Sequence, residues 1–519
     1  MDNIDLVRDI GMPDSFTRHT LIRITVPAIA WFFAVIPTMV PAYVVPAEPE
    51  GANSTRLIDF TTLADSFQLS YAAAAAMTPA YYIGSLMFGQ FPCLLADKKG
   101  RLSIVFWTSL LTGAFGVLSA VAPKYTVFLI GRFGQGVCFT AMNNVSLVLA
   151  FESIPPSFHG KATVIFTVLW CIGAIVVAPI AIVFPNWRAL LAITSAPAII
   201  YAILFKLYTS ESLSYLIIEN RQEEVAEWVQ SAEKYGGKKF SQIDKMLLGD
   251  ECGIKELYFS EEKEDPDKSS TNSWSQWLQS IGKLTIESIK EAPVSIGIIT
   301  IMWVIDFCVY NGLTLISTSL DAGNPHWNYI FSCATELPAG VIFPFMMDWF
   351  GRQPTAMLSH ALTGICLVAL QFIPTNSDFF IWLWVAAKFF VCGSFAVLYL
   401  YGSELFKIKH RNISLGICGT IGNIGAIAAP YIVSIEILTC KMTAFQADQS
   451  FVFPVFAIIS IITCIICKFL SETKTGLFNP KSLIEGYVLS VHHVPLGSLN
   501  VQNIRLESRS FIVKPKSVI

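Results

Sequence analysis

The sequence feature that most constrains this chain is a short polar turn that occurs twice. Residues 97–101 read Asp-Lys-Lys-Gly-Arg between two long apolar runs, and residues 348–352 read Asp-Trp-Phe-Gly-Arg in the same setting. In each copy an aspartate ends one apolar segment, a glycine permits a tight turn and an arginine begins the next segment. The charges then lie where a bilayer meets water. Such a repeat predicts two related halves of a membrane bundle.

The composition agrees with a membrane protein. Hydrophobic residues make up 54% of the chain and charged residues 14%, whereas about 25% of a soluble domain is charged. A helix needs about 20 apolar residues to cross a bilayer. Twelve stretches qualify, and we number them spans 1 to 12: 24–45, 71–95, 102–122, 125–149, 161–184, 188–208, 293–319, 327–347, 354–373, 379–402, 412–437 and 451–470. The predicted fold is an all-α integral membrane protein with two pseudo-symmetric six-helix bundles.

The spans divide the chain into five parts. These are an N-terminus (1–23), a first bundle (24–208), a charged, helix-prone linker (209–292), a second bundle (293–470) and a C-terminal tail (471–519). Lys and Arg are concentrated in the loops on one side of the spans, and cytoplasmic loops keep such an excess. We therefore predict that both termini, the linker and both polar turns are cytoplasmic, with the plasma membrane as the location.

Two short motifs lie outside the spans. Asn53-Ser54-Thr55 is a glycosylation sequon in the first outer loop. The C-terminal Ser517-Val518-Ile519 is a candidate ligand for a PDZ-type groove, which binds a chain end as an added strand. We find no P-loop, no HExxH, no CxxC pair and no GxSxG turn. The predictions are no enzyme activity, no ATP-driven pumping, no cofactor, no metal and no nucleic-acid partner.

Ordered motifs along the chain carry a resemblance to a known family. The two Asp-x-x-Gly-Arg turns are similar to the repeated loop of the major facilitator superfamily. Residues 70–475 resemble its organic-ion transporters, the organic cation, organic anion and carnitine carriers. The matching segments are Gly131-Arg132-Phe133 with Gly136 and Glu152, Trp187-Arg188, Tyr310-Asn311-Gly312-Leu313, Glu336-Leu337-Pro338-Ala339, residues 399–404 with Arg411-Asn412, and Glu472-Thr473-Lys474. The resemblance implies a carrier of small organic ions.

The chain departs from the family pattern where substrate charge is set. At the position of Asn423 the cation carriers have Asp, and the anion and carnitine carriers have Arg. A Lys of the anion carriers corresponds to Gly340, and a fourth-span Lys of the cation carriers corresponds to Thr140. The two positive groups of an anion carrier, the Arg at position 423 and the Lys at position 340, are thus absent. We therefore expect a cationic, zwitterionic or neutral substrate. The family's ESPRWL segment appears at 211–216 without its Pro and Arg, which puts in question the ion-pair network that this Arg would join.

Four ionisable side chains fall at membrane depth: Arg132, Asp306, Glu336 and Lys388. Such a residue is a candidate functional site, because inserting it costs about 2.5–3.5 kcal/mol or more. One lysine can neutralise only one of the two acids, so one acid remains to attract a cationic substrate or to carry a coupling proton. Glu336 is preferred because it matches the family's ELPA acid. The alternatives are a protonated structural carboxyl at Glu336 and an internal ion pair for Lys388.

Three further residues complete the predicted substrate site. Arg132 is predicted either to lock span 4 to a neighbour or to contact the ligand. Tyr310 is a candidate aromatic face for a cation, and Asn423 follows from the resemblance. The side chains assigned to a cytoplasmic gate between the halves are Asp97, Arg101, Asp348, Arg352, Glu152, Glu404 and Arg411.

The sequence therefore predicts transport of a small organic ion by alternating access about a midplane site. Two rivals stay open. One is a sugar-type facilitator, which shares the repeated turns, and the other is a non-transporting receptor or scaffold on the same fold. Coupling to a proton or another ion also stays open.

Overall fold

The structure of the chain is a computed structural model. It describes residues 16–45, 60–155, 158–219, 221–236, 282–283, 285–290, 292–318, 320, 324–374, 377–406, 411–442 and 452–473. These residues belong to one compact unit, which ends at Thr473. Asn53, the C-terminal motif and most of the linker lie outside the described residues, so the predictions made for them stay predictions.

Each predicted span is helical, and several helices begin earlier or end later than the apolar pattern suggests. Spans 1 to 6 are Arg18–Met39 with Pro41–Val44; Tyr71–Ala75, Met77–Phe88 and Gln90–Lys99; Arg101–Ala120; Tyr125–Phe151; His159–Val183; and Trp187–Tyr208. Spans 7 to 12 are Pro293–Ile316; Pro325–Ala334 and Glu336–Phe350; Arg352–Ala369 with a 3-10 turn to Phe372; Asp378–Leu405; Arg411–Met442; and Val452–Cys467. Within the described residues, nine spans are long and apolar enough to cross a membrane by length and composition, and spans 2, 4 and 12 fall short of that measure.

Shorter helices lie between the spans. They include Leu63–Phe67, before span 2, and Leu213–Ile218 and Gln222–Gly236, after span 6. The described part of the chain contains no sheet, and a single bridge pairs Thr61 with Asn186. The predicted all-α class is confirmed.

A proline follows each break within spans 2 and 8. Each break lies three residues before a proline, and the pairs are Ala76 with Pro79, Gly89 with Pro92, and Thr335 with Pro338. Proline has no N–H, so the carbonyl four residues earlier has no helical donor and the helix is interrupted there. In span 8 the break places Glu336 in the first turn of a new helix, near the middle of that span.

The two ends of the bundle have different cores. We call the end that carries Gly100 and Gly351 the turn end, and the opposite end the far end. At the far end one hydrophobic core contains residues of both halves, including Tyr43 and Tyr329. At the turn end the core of the described residues includes three smaller clusters, and the buried residues of each cluster come from one half only. The halves are thus joined mainly at the far end and at mid-depth, where span 2 packs on span 11 and span 5 packs on span 8.

Candidate functional site

Glu336 lies between the two halves and is held by neutral donors from both. Its Oε1 accepts a hydrogen bond from the Tyr310 hydroxyl at 2.6 Å, and its Oε2 accepts one from Trp170 Nε1 at 2.9 Å. Tyr310 belongs to span 7 and Trp170 to span 5. Glu336 itself is only 8% exposed. Among the described residues, none of the ion pairs within 4.0 Å includes Glu336.

Lys388 of span 10 is directed at span 7. Its Nζ donates to the Tyr310 carbonyl at 2.9 Å and to the Thr314 hydroxyl, and it lies 3.3 Å from the centroid of the Tyr310 ring. Among the described residues no ion pair within 4.0 Å includes Lys388, so the structure does not show the alternative of an internal ion pair. The lysine is held by a carbonyl, a hydroxyl and a ring face, and Tyr310 contacts both Lys388 and Glu336.

Asp306 lies in the core of the second half. Its Oδ2 accepts a hydrogen bond from the Ser394 hydroxyl at 2.6 Å, and its Oδ1 lies 3.6 Å from His360 Nδ1. Ser394 Oγ also lies 3.1 Å from His360 Nε2. All three side chains are buried and come from spans 7, 9 and 10. In the described part of the chain no hydrogen bond or ion pair joins Asp306 to Glu336, so the structure does not bring the two predicted acids together.

Asn423 connects the halves on the other side of the bundle. Its Nδ2 donates to the Ser85 hydroxyl of span 2 at 3.3 Å and to the Thr420 carbonyl at 3.0 Å. A second bridge lies nearby, because the Tyr82 hydroxyl donates to Asn311 Oδ1 at 3.0 Å. The amide at 423 thus acts as a neutral link between spans 2 and 11.

Arg132 is fully buried within the first half. Its Nη2 donates to the Pro37 carbonyl at 2.6 Å, its Nη1 donates to Gln135 Oε1 at 2.9 Å, and its guanidinium lies 5.0 Å from the Tyr81 ring centroid. The Pro37 carbonyl would ordinarily accept from the amide of residue 41, which is a proline and has none. Arg132 supplies that missing donor, so the structure favours the locking role over ligand contact.

We expect Arg132→Met to lower the free energy of unfolding by about 1–3 kcal/mol, because a buried acceptor left without a donor costs that much. The measurement is the thermal unfolding midpoint of the purified protein in detergent. Arg18→Met removes an exposed arginine from the same half and should leave the midpoint nearly unchanged. Equal midpoints for the two variants would refute the locking role.

An ion-pair network surrounds the first polar turn. Arg101 Nη2 lies 3.1 Å from Asp97 Oδ1, and Arg101 Nε lies 3.2 Å from Glu152 Oε2. The backbone amides of Arg101 and Leu102 each donate to Glu211 at 3.0 Å. A carboxylate at this position satisfies amides that have no partner within the helix and complements the positive end of the helix dipole.

The second turn repeats the arrangement. Arg352 Nη2 lies 2.8 Å from Glu404 Oε1, and Arg352 Nη1 lies 3.6 Å from Asp348 Oδ1. The amides of Arg352 and Gln353 donate to Glu472 at 3.0 and 2.9 Å. Each half therefore has one arginine, two acids around it and a third acid that caps the following helix.

Each turn also requires its glycine. Gly100 has φ 90° and Gly351 has φ 97°, a region that glycine adopts at little cost. A Cβ added to Gly100 would lie 2.2 Å from Glu211 Oε2, and one added to Gly351 would lie 2.7 Å from Glu472 Oε2. The glycine both permits the turn and leaves room for the capping carboxylate.

These networks show where the structure places the side chains assigned to the gate. Asp97 and Asp348 have side chains 72% and 68% exposed, and each pairs with an arginine of its own half. Glu211 and Glu472 accept the helix amides. Among the described residues no ion pair joins the two halves, and the side chain of Arg411 lies outside that part of the chain. The network at 211–216 forms without the missing family Arg.

Burial changes the acidity of two carboxyls in the first network. Burial raises the pKa of Glu152, and the nearby Arg101 opposes that shift. Burial likewise raises the pKa of Glu211, while the amide hydrogen bonds of Ser212, Leu102 and Arg101 oppose it. Both acids are thus easier to protonate than exposed glutamates.

Known proteins are similar to this chain in sequence. The family model described as "Sugar (and other) transporter" matches residues 43–479. A Caenorhabditis elegans protein named as a transporter is 29% identical over 422 residues, which is 81% of this chain and 80% of that protein. The Organic cation transporter protein of Drosophila melanogaster is 26% identical, covering 67% of this chain and 61% of the fly protein. Organic anion transporter 3 of Rattus norvegicus is 25% identical, covering 73% and 68%.

Solved structures show the same fold. The xylose transporter XylE from E. coli, in a partially occluded inward-open conformation, has a TM-score of 0.61 at 14% identity and covers 89% of this chain and 100% of that chain. A D-xylose-proton symporter has a TM-score of 0.60 at 16% identity, with 88% and 100% coverage. The predicted major facilitator fold and the resemblance to organic-ion transporters are confirmed, and the protein is a multi-pass membrane transporter rather than an enzyme. By the match to residues 43–479, the chain belongs to the sugar (and other) transporter family.

Proposed function

We propose that this protein carries a small organic cation or zwitterion across the membrane by alternating access, with Glu336 as the anionic anchor. The position of Glu336 carries the proposal. Its carboxylate lies between the halves, and its hydrogen bonds come from the neutral donors Tyr310 and Trp170. Neutral donors orient a carboxylate without cancelling its charge, which is then available to a cationic group.

The surroundings of Tyr310 extend the proposal to zwitterions. One residue contacts a carboxylate through its hydroxyl and an ammonium through its ring and carbonyl. Glu336 and Lys388 therefore offer opposite charges near each other without an ion pair between them. A ligand with one positive and one negative group could engage both.

The distribution of contacts between the halves supports alternating access. Polar contacts join the halves at the far end. The Tyr43 hydroxyl lies 3.3 Å from His326 Nδ1, and the Tyr329 hydroxyl donates to the Ala174 carbonyl at 2.8 Å. The Thr318 hydroxyl donates to the Ala42 carbonyl. The ion-pair networks of the turn end stay within their own halves. With the turns cytoplasmic, as the Lys and Arg distribution predicts, this arrangement is closed to the outside and must open by breaking the far-end contacts.

We expect Tyr329→Phe to shift the protein toward the outward-open state, because it removes one hydrogen bond between the halves. One hydrogen bond contributes about 1 kcal/mol to the stability of the closed state. Its loss should therefore raise the outward-open population about fivefold. The measurement is labelling of Val45→Cys, in the far-end core, by a membrane-impermeant maleimide added outside. Tyr201→Phe is the matched control, since its hydroxyl donates to the Val26 carbonyl within one half. Equal labelling in both variants would contradict the gating role.

The function itself is tested by uptake of labelled organic cations, organic anions, carnitine-like zwitterions and sugars at two membrane potentials. A monovalent cation gains about 2.3 kcal/mol per 100 mV, so its uptake should rise steeply with an inside-negative potential. Uptake of sugars alone, without voltage dependence, would establish the sugar-type facilitator instead. If the protein reaches the surface and moves nothing on the panel, the receptor or scaffold alternative replaces transport of these ions.

A further inference from the structure

A groove runs along the outside of the first half, beside the turn at 97–101. Its volume is about 560 Å³, and residues of spans 2, 3 and 4 line it together with Tyr215 and Arg221 from the segment after span 6. The apolar wall includes Phe91, Trp107 and Leu111, which are 50%, 54% and 38% exposed. Large apolar side chains exposed on a membrane span face lipid or a bound apolar group.

The turn end of the groove is basic. Lys98, Lys99 and Arg221 are among its lining residues, and none of the lining residues is acidic. The Tyr215 hydroxyl donates to the Lys98 carbonyl at 3.2 Å, and the Arg221 guanidinium lies 5.8 Å from the Tyr215 ring centroid. Arg221 also pairs with Glu224 at 3.2 Å, where both side chains are about half exposed. The groove thus joins an apolar wall to a positive rim.

Comparison of the two halves shows that the fold does not require this positive rim. Both turns keep the aspartate, the glycine and the arginine, which build the networks described above. The residues between them differ, because Lys98 and Lys99 of the first turn correspond to Trp349 and Phe350 of the second. Those two aromatic side chains are 71% and 62% exposed. The lysine pair is therefore an addition particular to the first half.

We propose that this groove binds one anionic phospholipid of the cytoplasmic leaflet. The lipid phosphate contacts Lys98, Lys99 and Arg221, and an acyl chain lies along Phe91 and Trp107. The cytoplasmic leaflet carries anionic lipids, and basic residues at its surface attract them. The inference rests on the cytoplasmic placement of the turns and does not depend on which substrate is moved.

The test is titration of the delipidated full-length protein in detergent with phosphatidylserine or phosphatidylcholine, with bound lipids counted by native mass spectrometry. Phosphatidylserine should bind the wild type more tightly than phosphatidylcholine does. Lys98→Gln/Lys99→Gln should weaken phosphatidylserine binding about 30-fold, since each lysine contributes about 1 kcal/mol. Lys98→Arg/Lys99→Arg should retain it, and Lys98→Trp/Lys99→Phe, which copies the second turn, should lose it.

Two controls distinguish lipid binding in this groove from an effect of net charge and from binding of free anions. Lys124→Gln/Lys468→Gln removes two exposed lysines elsewhere. If this variant lost as much phosphatidylserine binding as the Lys98→Gln/Lys99→Gln variant, net charge alone would explain the loss, and the proposal would be overturned. Inorganic phosphate at the same concentration should not displace phosphatidylserine. If it does, the rim is a site for free anions, and the lipid assignment is wrong. Undiminished phosphatidylserine binding by the double Gln variant would also overturn it.

Discussion

Glu336→Gln is expected to reduce uptake of an organic cation at least about 30-fold while the protein still reaches the cell surface. Removing one partner of a desolvated charge pair costs about 2–5 kcal/mol, and each 1.4 kcal/mol is a factor of ten. Glutamine has nearly the same shape, and its Oε1 can still accept from Tyr310 or Trp170. The loss should therefore come from the charge rather than from packing. The measurement is initial uptake rate against substrate concentration, normalised to surface protein.

Two variants make the Glu336 result interpretable. Glu336→Asp keeps the charge on a side chain one methylene shorter and should retain part of the uptake. Asp306→Asn changes the other buried acid, whose partners Ser394 and His360 belong to its own half, and should affect uptake much less. If Glu336→Gln transports cations like the wild type, Glu336 is not the anchor. If Asp306→Asn instead abolishes uptake at normal surface levels, the roles of the two acids are reversed.

Gly425→Ala is expected to destabilise the protein strongly, because spans 7 and 11 are in backbone contact at that glycine. A Cβ added there would lie 1.7 Å from the Val304 carbonyl oxygen and 3.0 Å from the Cys308 amide nitrogen. The two helices would have to move apart, and overpacking of this kind costs about 1–3 kcal/mol or more. Span 7 also carries Tyr310, so the displacement would reach the substrate site. The measurement is the thermal unfolding midpoint in detergent, which should fall.

The same helix supplies the matched control for Gly425. A Cβ added to Gly419 meets nothing within 4 Å. Gly419→Ala should therefore be neutral or stabilise by about 0.4–1 kcal/mol, because alanine restricts the unfolded chain. Opposite shifts of the two midpoints would confirm that span 11 is in close contact with span 7 at Gly425 and has free space at Gly419. A shift of the same sign and size in both would contradict that interpretation.

Much of the fold could be predicted from the sequence because its causes are local. Apolar runs of sufficient length must be helices that cross the membrane, since backbone groups in lipid need internal partners. The repeated turns predicted two related halves, and the Gly100 and Gly351 positions follow from the backbone conformation of those turns. A proline lies three residues after each of the breaks at Ala76, Gly89 and Thr335. Pro179, Pro197 and Pro344 lie inside unbroken helices, so proline spacing alone could not have located the breaks.

The candidate site was predicted only in part. Glu336, Tyr310 and Lys388 do lie together, but no pattern in the sequence indicated that Trp170 would supply the second hydrogen bond to Glu336. His360 was missed because a single histidine in an apolar span carries no pattern of its own. Glu211 and Glu472 were recognised only as family motif residues, and their shared role as helix caps became visible once both turns were folded.

By itself, the sequence determined the number of spans, the duplication, the membrane environment and the residues that could carry charge at depth. Only the tertiary structure decided which partners these charged side chains have. Glu336 contacts Trp170 across 166 positions of the chain, whereas Asp306 turns to Ser394 and His360. These partners depend on how each helix is rotated about its own axis, and that rotation is set by packing against neighbouring helices. Hydrophobicity fixes that a span crosses the membrane, and packing fixes which side chains it presents to the other half.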